Sequence, residues 1–290
     1  MDLDLCTIEA GEFTMGSADF YPEEAPVHRR QVERFLIARA PVTNAQFGAF
    51  VAATGYVTTA ERPLPTEEFP DLADEARLPG SLVFTMTSGP VDLNDWRQWW
   101  KWVPGANWRA PFGPGSSIDD KGDHPVVQVS LDDAEAFCAW AGVRLPTETE
   151  WEFAARGGID GAVFAWGDEP QRPDDLRANT WQGSFPWVNA GARGWRGTSP
   201  VGTFPPNGYG LVDMAGNVWE WTATAWTDRH SSPCGCSPSV APATVTDRVA
   251  KGGSHLCAPE YCLRYRPAAR TRQSRDSSTT HMGFRVARDA

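Results

Sequence analysis

Short apolar stretches recur along the chain at two spacings, and each spacing predicts an element. Gly11-Glu-Phe-Thr-Met-Gly-Ser17 alternates apolar and polar positions between glycines, which predicts a short strand and turn near the surface. Phe35-Leu-Ile-Ala38 reads as a second strand. After Thr43 the period lengthens: Phe47, Phe50 and Val51 share a helical face, with Thr43 as cap and Gly55 as stop, and this helix is expected to pack on the sheet. His124-Pro-Val-Val-Gln-Val-Ser130 predicts a strand running into a second helix capped by Ser130, with Leu131, Ala134, Phe137, Cys138 and Ala141 on one face. Cys138 is therefore expected in the core, and His124 as a hydrogen-bonded turn residue. A third helix, within residues 145–158, has the capping pair Thr147 and Glu150, acids where the backbone dipole favours them, Arg156 in its last turn and Gly157 beyond it. Its acids are accounted for as helix-start residues and are assigned no chemistry.

Between residues 63 and 122, proline and glycine breaks separate short pieces such as Leu82-Val-Phe84, and Trp96, Trp99, Trp100, Trp102 and Trp108 gather there. Core packing is their expected use, ahead of an aromatic cage. With 14 Trp, 27 Gly and 24 Pro in 290 residues, the composition predicts a turn-rich fold held by large planar side chains. No repeat or linker composition divides the chain, so residues 1–290 are read as one domain.

A net charge of −11 excludes a phosphate-backbone partner, because nucleic-acid binding rests on Lys and Arg displacing counterions. No apolar run approaches the roughly 18 residues of a membrane span. The opening Met-Asp-Leu-Asp-Leu-Cys is acidic where a secretory leader is basic, so a cytoplasmic protein is expected. Six cysteines are too sparse for a disulfide scaffold, and a reducing compartment leaves them as thiols.

The chemistry concentrates in residues 251–266, Lys-Gly-Gly-Ser-His-Leu-Cys-Ala-Pro-Glu-Tyr-Cys-Leu-Arg-Tyr-Arg. Cys257 and Cys262 are five positions apart with Pro259 between them, so thiols that cooperate here must lie on an irregular loop. Two soft ligands suit Cu(I) or a redox dithiol, and Arg264 and Arg266 would favour the thiolate if close in space; a structural disulfide or two unrelated buried thiols are the alternatives. Asp213, Asn217 and Glu220 surround turns punctuated by Gly208, Gly210 and Gly216, a spacing that suits Ca²⁺ or a solvated acidic turn. Cys234 and Cys236 could join the later pair in a four-thiolate zinc site.

The chain resembles the aerobic formylglycine-generating enzymes, or sulfatase-modifying factors, in Gly-Glu-Phe-Thr-Met-Gly, Pro-Val-Thr-Asn, Arg-Leu-Pro-Thr-Glu-Thr-Glu-Trp-Glu, Asn-Gly-Tyr-Gly-Leu, Gly-Asn-Val-Trp-Glu-Trp and Gly283-Phe-Arg285. These segments are shared with a superfamily that includes non-catalytic proteins. The specific part is Gly-Gly-Ser-x-x-Cys-x-x-x-x-Cys-x-Arg-Tyr-Arg followed by Asp276-Ser-Ser278.

The resemblance implies a single α+β domain of little regular structure, distantly like C-type lectins. It implies an oxidase that uses O₂ and Cu(I) to convert the cysteine of a Cys-x-Pro-x-Arg segment in an unfolded sulfatase to formylglycine; a monomer is expected. It places copper on Cys257 and Cys262, an active-site serine at Ser254, a tryptophan lining the oxygen pocket at Trp219, and substrate contacts at Arg266 and His281. The substrate thiolate would become a third sulfur ligand. One implied calcium site comprises Asp213, the carbonyls of Gly216 and Val218, and Glu220. The other comprises Asn179 and the carbonyls of Thr180 and Trp195, with Arg193 where the family has an acid. Ala258 replaces a frequent histidine, and Pro267 and Val286 replace further cysteines. The competing readings are a related thiol oxidase with a different target and a non-catalytic binding module on the same fold.

Overall fold

The computed structural model describes residues 3–67, 70, 71, 73, 77–230 and 247–290. Cys234 and Cys236, and with them the zinc alternative, lie outside the described residues. Among the described residues, four small sheets and three α-helices make up most of the regular structure. The strands β1 (Leu5–Ile8), β4 (Phe35–Ala38) and β11 (Ala287–Asp289) form one antiparallel sheet, β4 in the middle, so the two ends of the chain meet on the strand predicted at 35–38. The strands β2 (Gly11–Met15) and β3 (His28–Val32) pair as a hairpin. A second pair, β5 (Gly80–Phe84) and β6 (Trp100–Pro104), brackets part of the tryptophan-rich region. The largest sheet has the order β10 (Met282–Gly283), β7 (Trp219–Ala225), β8 (Arg248–Lys251), β9 (Arg270–Gln273).

The helices α1 (Asn44–Thr54), α2 (Leu131–Ala141) and α3 (Glu148–Arg156) begin and end where the sequence places their caps. Each starts with a reciprocal capping box: Thr43 with Gln46, Ser130 with Asp133, and Thr147 with Glu150. Each ends at a left-handed glycine, Gly55, Gly142 or Gly157. Phe47 and Phe50 of α1 meet Phe137 of α2 and, through Phe47 and Phe137, Phe284, forming the main core. Cys138 lies in it, and burial pushes its thiol up to about 12.

The strand expected over 124–130 is absent. Gln128 has φ of +61°, which turns the backbone out of ladder geometry. Its neighbours extend without pairing as a strand: Val126 N–H donates to the Val42 carbonyl and Gln128 N–H to that of Thr279. The tryptophans also divide. Trp99 and Trp108 are core residues, Trp100 lines a cavity, and Trp96 and Trp102 are exposed.

The acids of α3 do more than start a helix. Glu148 and Glu152 face inward, where the buried Lys251 ammonium lies 3.1 Å from Glu152 and 3.7 Å from Glu148. Arg270 pairs with Glu148 at 2.8 Å, Arg156 pairs with Glu152 at 2.8 Å, and Glu152 also accepts the Gly16 N–H. Charges this deeply buried persist only when paired and hydrogen-bonded. The network bolts α3 to β8 and β9.

Burial pushes the Glu148 carboxyl up, but the His230 hydrogen bond and the charges of Lys251 and Arg270 outweigh it and hold the group at about 2, against 4.5 unperturbed. Its contribution to stability is therefore complete above about pH 4.5 and lost as pH falls towards 2. Glu148→Gln is expected to cost about 3 kcal/mol at pH 7 and to flatten the acid limb of a plot of melting temperature against pH, followed by circular dichroism.

Candidate active site

Lys251 ends β8, and Gly252 and Gly253 follow at φ of +95° and +69°. A Cβ on Gly253 would stand 2.9 Å from the backbone of Tyr265, so the turn requires glycine in order to lie against the chain returning from the loop. Ser254 N–H points at Cys257 Sγ (3.4 Å), and Ser254 Oγ accepts from Leu256 N–H. The Cys262 N–H closes on the Ala258 carbonyl at 2.6 Å, which folds the loop around Pro259 and brings the Cys257 and Cys262 sulfurs 3.0 Å apart. Both are free thiols, and the separation exceeds the roughly 2.05 Å of a disulfide. The two thiols are therefore a convergent pair and not unrelated.

The pair lies in a cavity of about 210 Å³ whose remaining walls include Ser254, Trp219, Arg264 and His281. Trp99, Trp100, Phe185 and Tyr261 complete an aromatic enclosure, with Phe185 and Tyr261 stacked at 4.6 Å. Trp219 is set by β7, its N–H bonded to the His281 carbonyl, and the His281 ring meets Trp100 edge-on at 4.8 Å. His281 Nδ1 is 3.3 Å from Ser254 Oγ. Desolvation pushes His281 down to about 3, so its imidazole is neutral at pH 7 and its Nδ1 is able to accept the serine hydroxyl.

The two thiols are unequal. Burial pushes Cys257 up, and its hydrogen bond to Cys262 adds to this. That same hydrogen bond, outweighing burial, lowers Cys262, and Arg264 lowers it further. The opposite directions of the two shifts make Cys262 the more acidic sulfur and Cys257 the one that keeps its proton and donates it. The chemistry of the pair, soft sulfurs open to a cavity, fits Cu(I). Among the described residues no group of three or more His, Cys, Asp and Glu side chains suited to a metal ion is present.

Arg266 is not placed as a substrate contact. It is buried, its two terminal nitrogens grip Glu24, and its Nε donates to the Leu263 carbonyl, so Arg264 is the arginine that lines the cavity. Of the calcium candidates, Glu220 already accepts from Arg285 through both oxygens and from Trp151 Nε1. Asp213 is buried, sits at φ of +55° and accepts from Gly202 N–H. Burial pushes its carboxyl up to about 6 and the nearby Glu220 adds to this. At the other site Asn179 Oδ1 is buried without a hydrogen-bond partner. Arg193 turns away from it, donating to the carbonyls of Thr203 and Leu176.

Sequence reasoning missed Arg264, Trp100 and Tyr261 as cavity walls, and also the buried acids of α3. The Arg-Tyr-Arg run carried a signal for the first, since a strand-like alternation puts Arg264 and Arg266 on one side and only contacts from residues 20–24 separate them. Iodoacetamide at pH 7 is expected to alkylate Cys262 several-fold faster than Cys257 in the metal-free protein and to spare Cys138, as read by fragment mass spectrometry.

Residues 3–290 match the family model described as a sulfatase-modifying factor enzyme 1-like domain. The chain is 58% identical to the formylglycine-generating enzyme of Mycobacterium tuberculosis, over 99% of this chain and 98% of that protein. It is 40% identical to a Mus musculus protein named inactive C-alpha-formylglycine-generating enzyme 2, over 98% of this chain and 85% of that one. Among solved structures, PvdO from Pseudomonas aeruginosa superposes with a TM-score of 0.65 at 24% identity, covering 99% of this chain and 94% of that one, which supports the single α+β fold. No helix among the described residues is long and apolar enough to cross a membrane. From the match along its whole length and the identity to its relatives, the chain belongs to the sulfatase-modifying factor enzyme 1-like family.

Proposed function

We propose that this protein is a formylglycine-generating oxidase, converting the cysteine of a Cys-x-Pro-x-Arg segment in an unfolded sulfatase to Cα-formylglycine with O₂. The observation that carries this reading is the pair of free thiols, 3.0 Å apart, facing a cavity large enough for a further cysteine side chain. Family membership alone would not suffice, since a relative at 40% identity is named inactive. Cys257 and Cys262 would hold Cu(I), which when bound supplies the redox chemistry by which O₂ oxidises a thiol-bearing carbon.

The chain's own groups prepare that site. The aromatic walls exclude water from an incoming side chain and strengthen every electrostatic interaction within the cavity. Ser254, held by the Leu256 N–H and the neutral His281, presents a fixed hydroxyl at the cavity wall. Arg264 supplies a positive charge beside Cys262 that lowers its thiol and favours the thiolate a metal would bind. We read the protein as a cytoplasmic monomer, in a compartment that keeps its thiols reduced.

Incubation of a Cys-x-Pro-x-Arg peptide with the protein, Cu(I) and air is expected to yield an aldehyde, captured by a hydrazine and read by mass spectrometry. Cys257→Ala and Cys262→Ala are each expected to lower the rate at least about a hundredfold. An unchanged peptide with copper bound points to a different thiol target. No copper uptake at all favours the non-catalytic binding module.

We also place Ca²⁺ at the Asp213 turn, with the carbonyls of Gly216 and Val218 and a Glu220 shared with Arg285, because a cation would compensate a carboxylate that burial raises. Asn179 Oδ1, a buried acceptor with a spare lone pair, supports a second ion with the Thr180 and Trp195 carbonyls. Since the folded-state value of Asp213 lies above the unfolded 3.8, metal-free stability falls as pH rises from about 4 through 6. Asp213→Asn, which tolerates the positive φ, is expected to raise metal-free stability by about 2 kcal/mol at pH 7 and to abolish most of the calcium-induced rise in melting temperature.

A further inference from the structure

The two cysteines are held by different parts of the chain. Cys257 is fixed locally and by the core: its N–H donates to the Ser254 carbonyl and its carbonyl accepts the Trp181 N–H at 3.0 Å. Cys262 follows an exposed stretch, residues 259–261, in which Glu260 accepts the Phe185 N–H and Tyr261 stacks on Phe185, and its own backbone N–H donates to the Ala258 carbonyl. On its other side the chain is restrained by residues far away in sequence.

Leu263, the next residue, has both backbone groups tied to residues 20–24. Its N–H donates to the Tyr21 hydroxyl at 3.0 Å. Its carbonyl accepts Arg266 Nε at 2.7 Å, and that guanidinium is gripped through both terminal nitrogens by the buried Glu24. Arg264 pairs with Glu23 at 2.6 Å and lies over the Tyr21 ring at 3.8 Å, while Arg266 lies over Phe20 at 3.7 Å. The clamp is itself anchored: the Glu24 carbonyl accepts Ser17 N–H and the Glu23 carbonyl accepts Arg270 Nη1. Every residue from Leu263 to Arg266 except Tyr265 thus contacts this segment through a hydrogen bond, an ion pair or a cation–π contact.

We propose that residues 20–24, chiefly Tyr21 and Glu23, are positioning residues for the metal pair, setting Cys262 at the distance from Cys257 at which both sulfurs serve one ion. Tyr21 fixes the backbone beside Cys262, and Glu23 fixes the guanidinium beside its sulfur. The proposal rests on the copper reading only where it speaks of metal. The geometry of the thiol pair depends on the clamp with or without an ion.

Tyr21→Phe removes one hydrogen bond and keeps the ring over Arg264; Glu23→Gln weakens one partly exposed ion pair. Asp95→Asn, at an exposed pair elsewhere, is the control. In the full-length protein, each of the two variants is expected to lower Cu(I) affinity about tenfold in competition with a chromophoric chelator, the loss expected for one hydrogen bond near the top of its usual range. In the metal-free protein each is expected to change the iodoacetamide rate of Cys262 at least threefold, leaving that of Cys257 and the melting temperature near those of the control. Parental affinity and a parental ratio of Cys262 to Cys257 alkylation in both variants would overturn the proposal. So would equal changes at both cysteines with a lowered melting temperature, which would mark the segment as general support. If the unsubstituted protein takes up no Cu(I), the copper reading fails by itself, and the alkylation ratio then decides the clamp.

Discussion

The constraint on which the rest depends is the burial of the Lys251 ammonium. A charged amine removed from water is tolerated only if carboxylates replace its hydration, and α3 supplies two of them from successive inward positions, Glu148 and Glu152. Because Lys251 is the last residue of β8, satisfying its charge also fixes where the Gly252-Gly253 turn begins. Ser254 and the cysteine loop inherit that position. The electrostatic cost of the interior is thus converted into placement of a loop that has little regular structure of its own.

The same logic recurs around the loop. Arg285 and Glu220 pair in the core beneath β7, and Trp151 Nε1 closes on the same carboxylate, so the strand bearing Trp219 is set by a charge pair as well as by its ladder. Arg266 and Glu24 repeat the arrangement on the far side of the cysteines. Buried ion pairs therefore stand behind the elements that bear the cavity, whose lining combines aromatic side chains, the two sulfurs and polar groups that include Arg264. A fold with short strands and many turns gains its rigidity from such fixed pairs, each of which would be expensive to break.

Helix starts and stops were legible because their signals are local. Thr43, Ser130 and Thr147 each cap with a partner three residues on, and a glycine follows each last turn. The Cys257 and Cys262 pair was legible as a convergent pair because Pro259 forbids a regular path between them. The false strand at 124–130 shows the limit: alternating valines satisfy the pattern, but the positive φ of Gln128 is imposed by the Thr279 carbonyl and a contact with the Pro111 carbonyl, both distant in sequence. The inward turn of Glu148 and Glu152 was hidden for the same reason, since first-turn acids explain themselves without reference to Lys251. Arg264 and Arg266 looked equivalent, and only residues some 240 positions earlier distinguish them.

That last distinction bears on how a single fold can hold both catalytic and inactive relatives. The helix caps and the ion pairs of Lys251, Arg285 and Arg266 do not involve either sulfur, so this framework is built independently of the thiols. Activity then depends on a second layer of contacts, laid over the first, that holds two sulfurs 3.0 Å apart on a loop with no ladder to enforce it. Local hydrogen bonds suffice for Cys257, which follows directly from the glycine turn. Cys262 lies beyond a proline and an exposed stretch, where each added residue widens the range of positions the chain can reach, and its local contacts are supplemented by the Tyr21 hydroxyl and by an arginine on either side of Tyr265, each claimed by an acid from the N-terminal segment. The long sequence separation between clamp and loop follows from this, because a restraint that must oppose local freedom has to come from a part of the chain already fixed by something else.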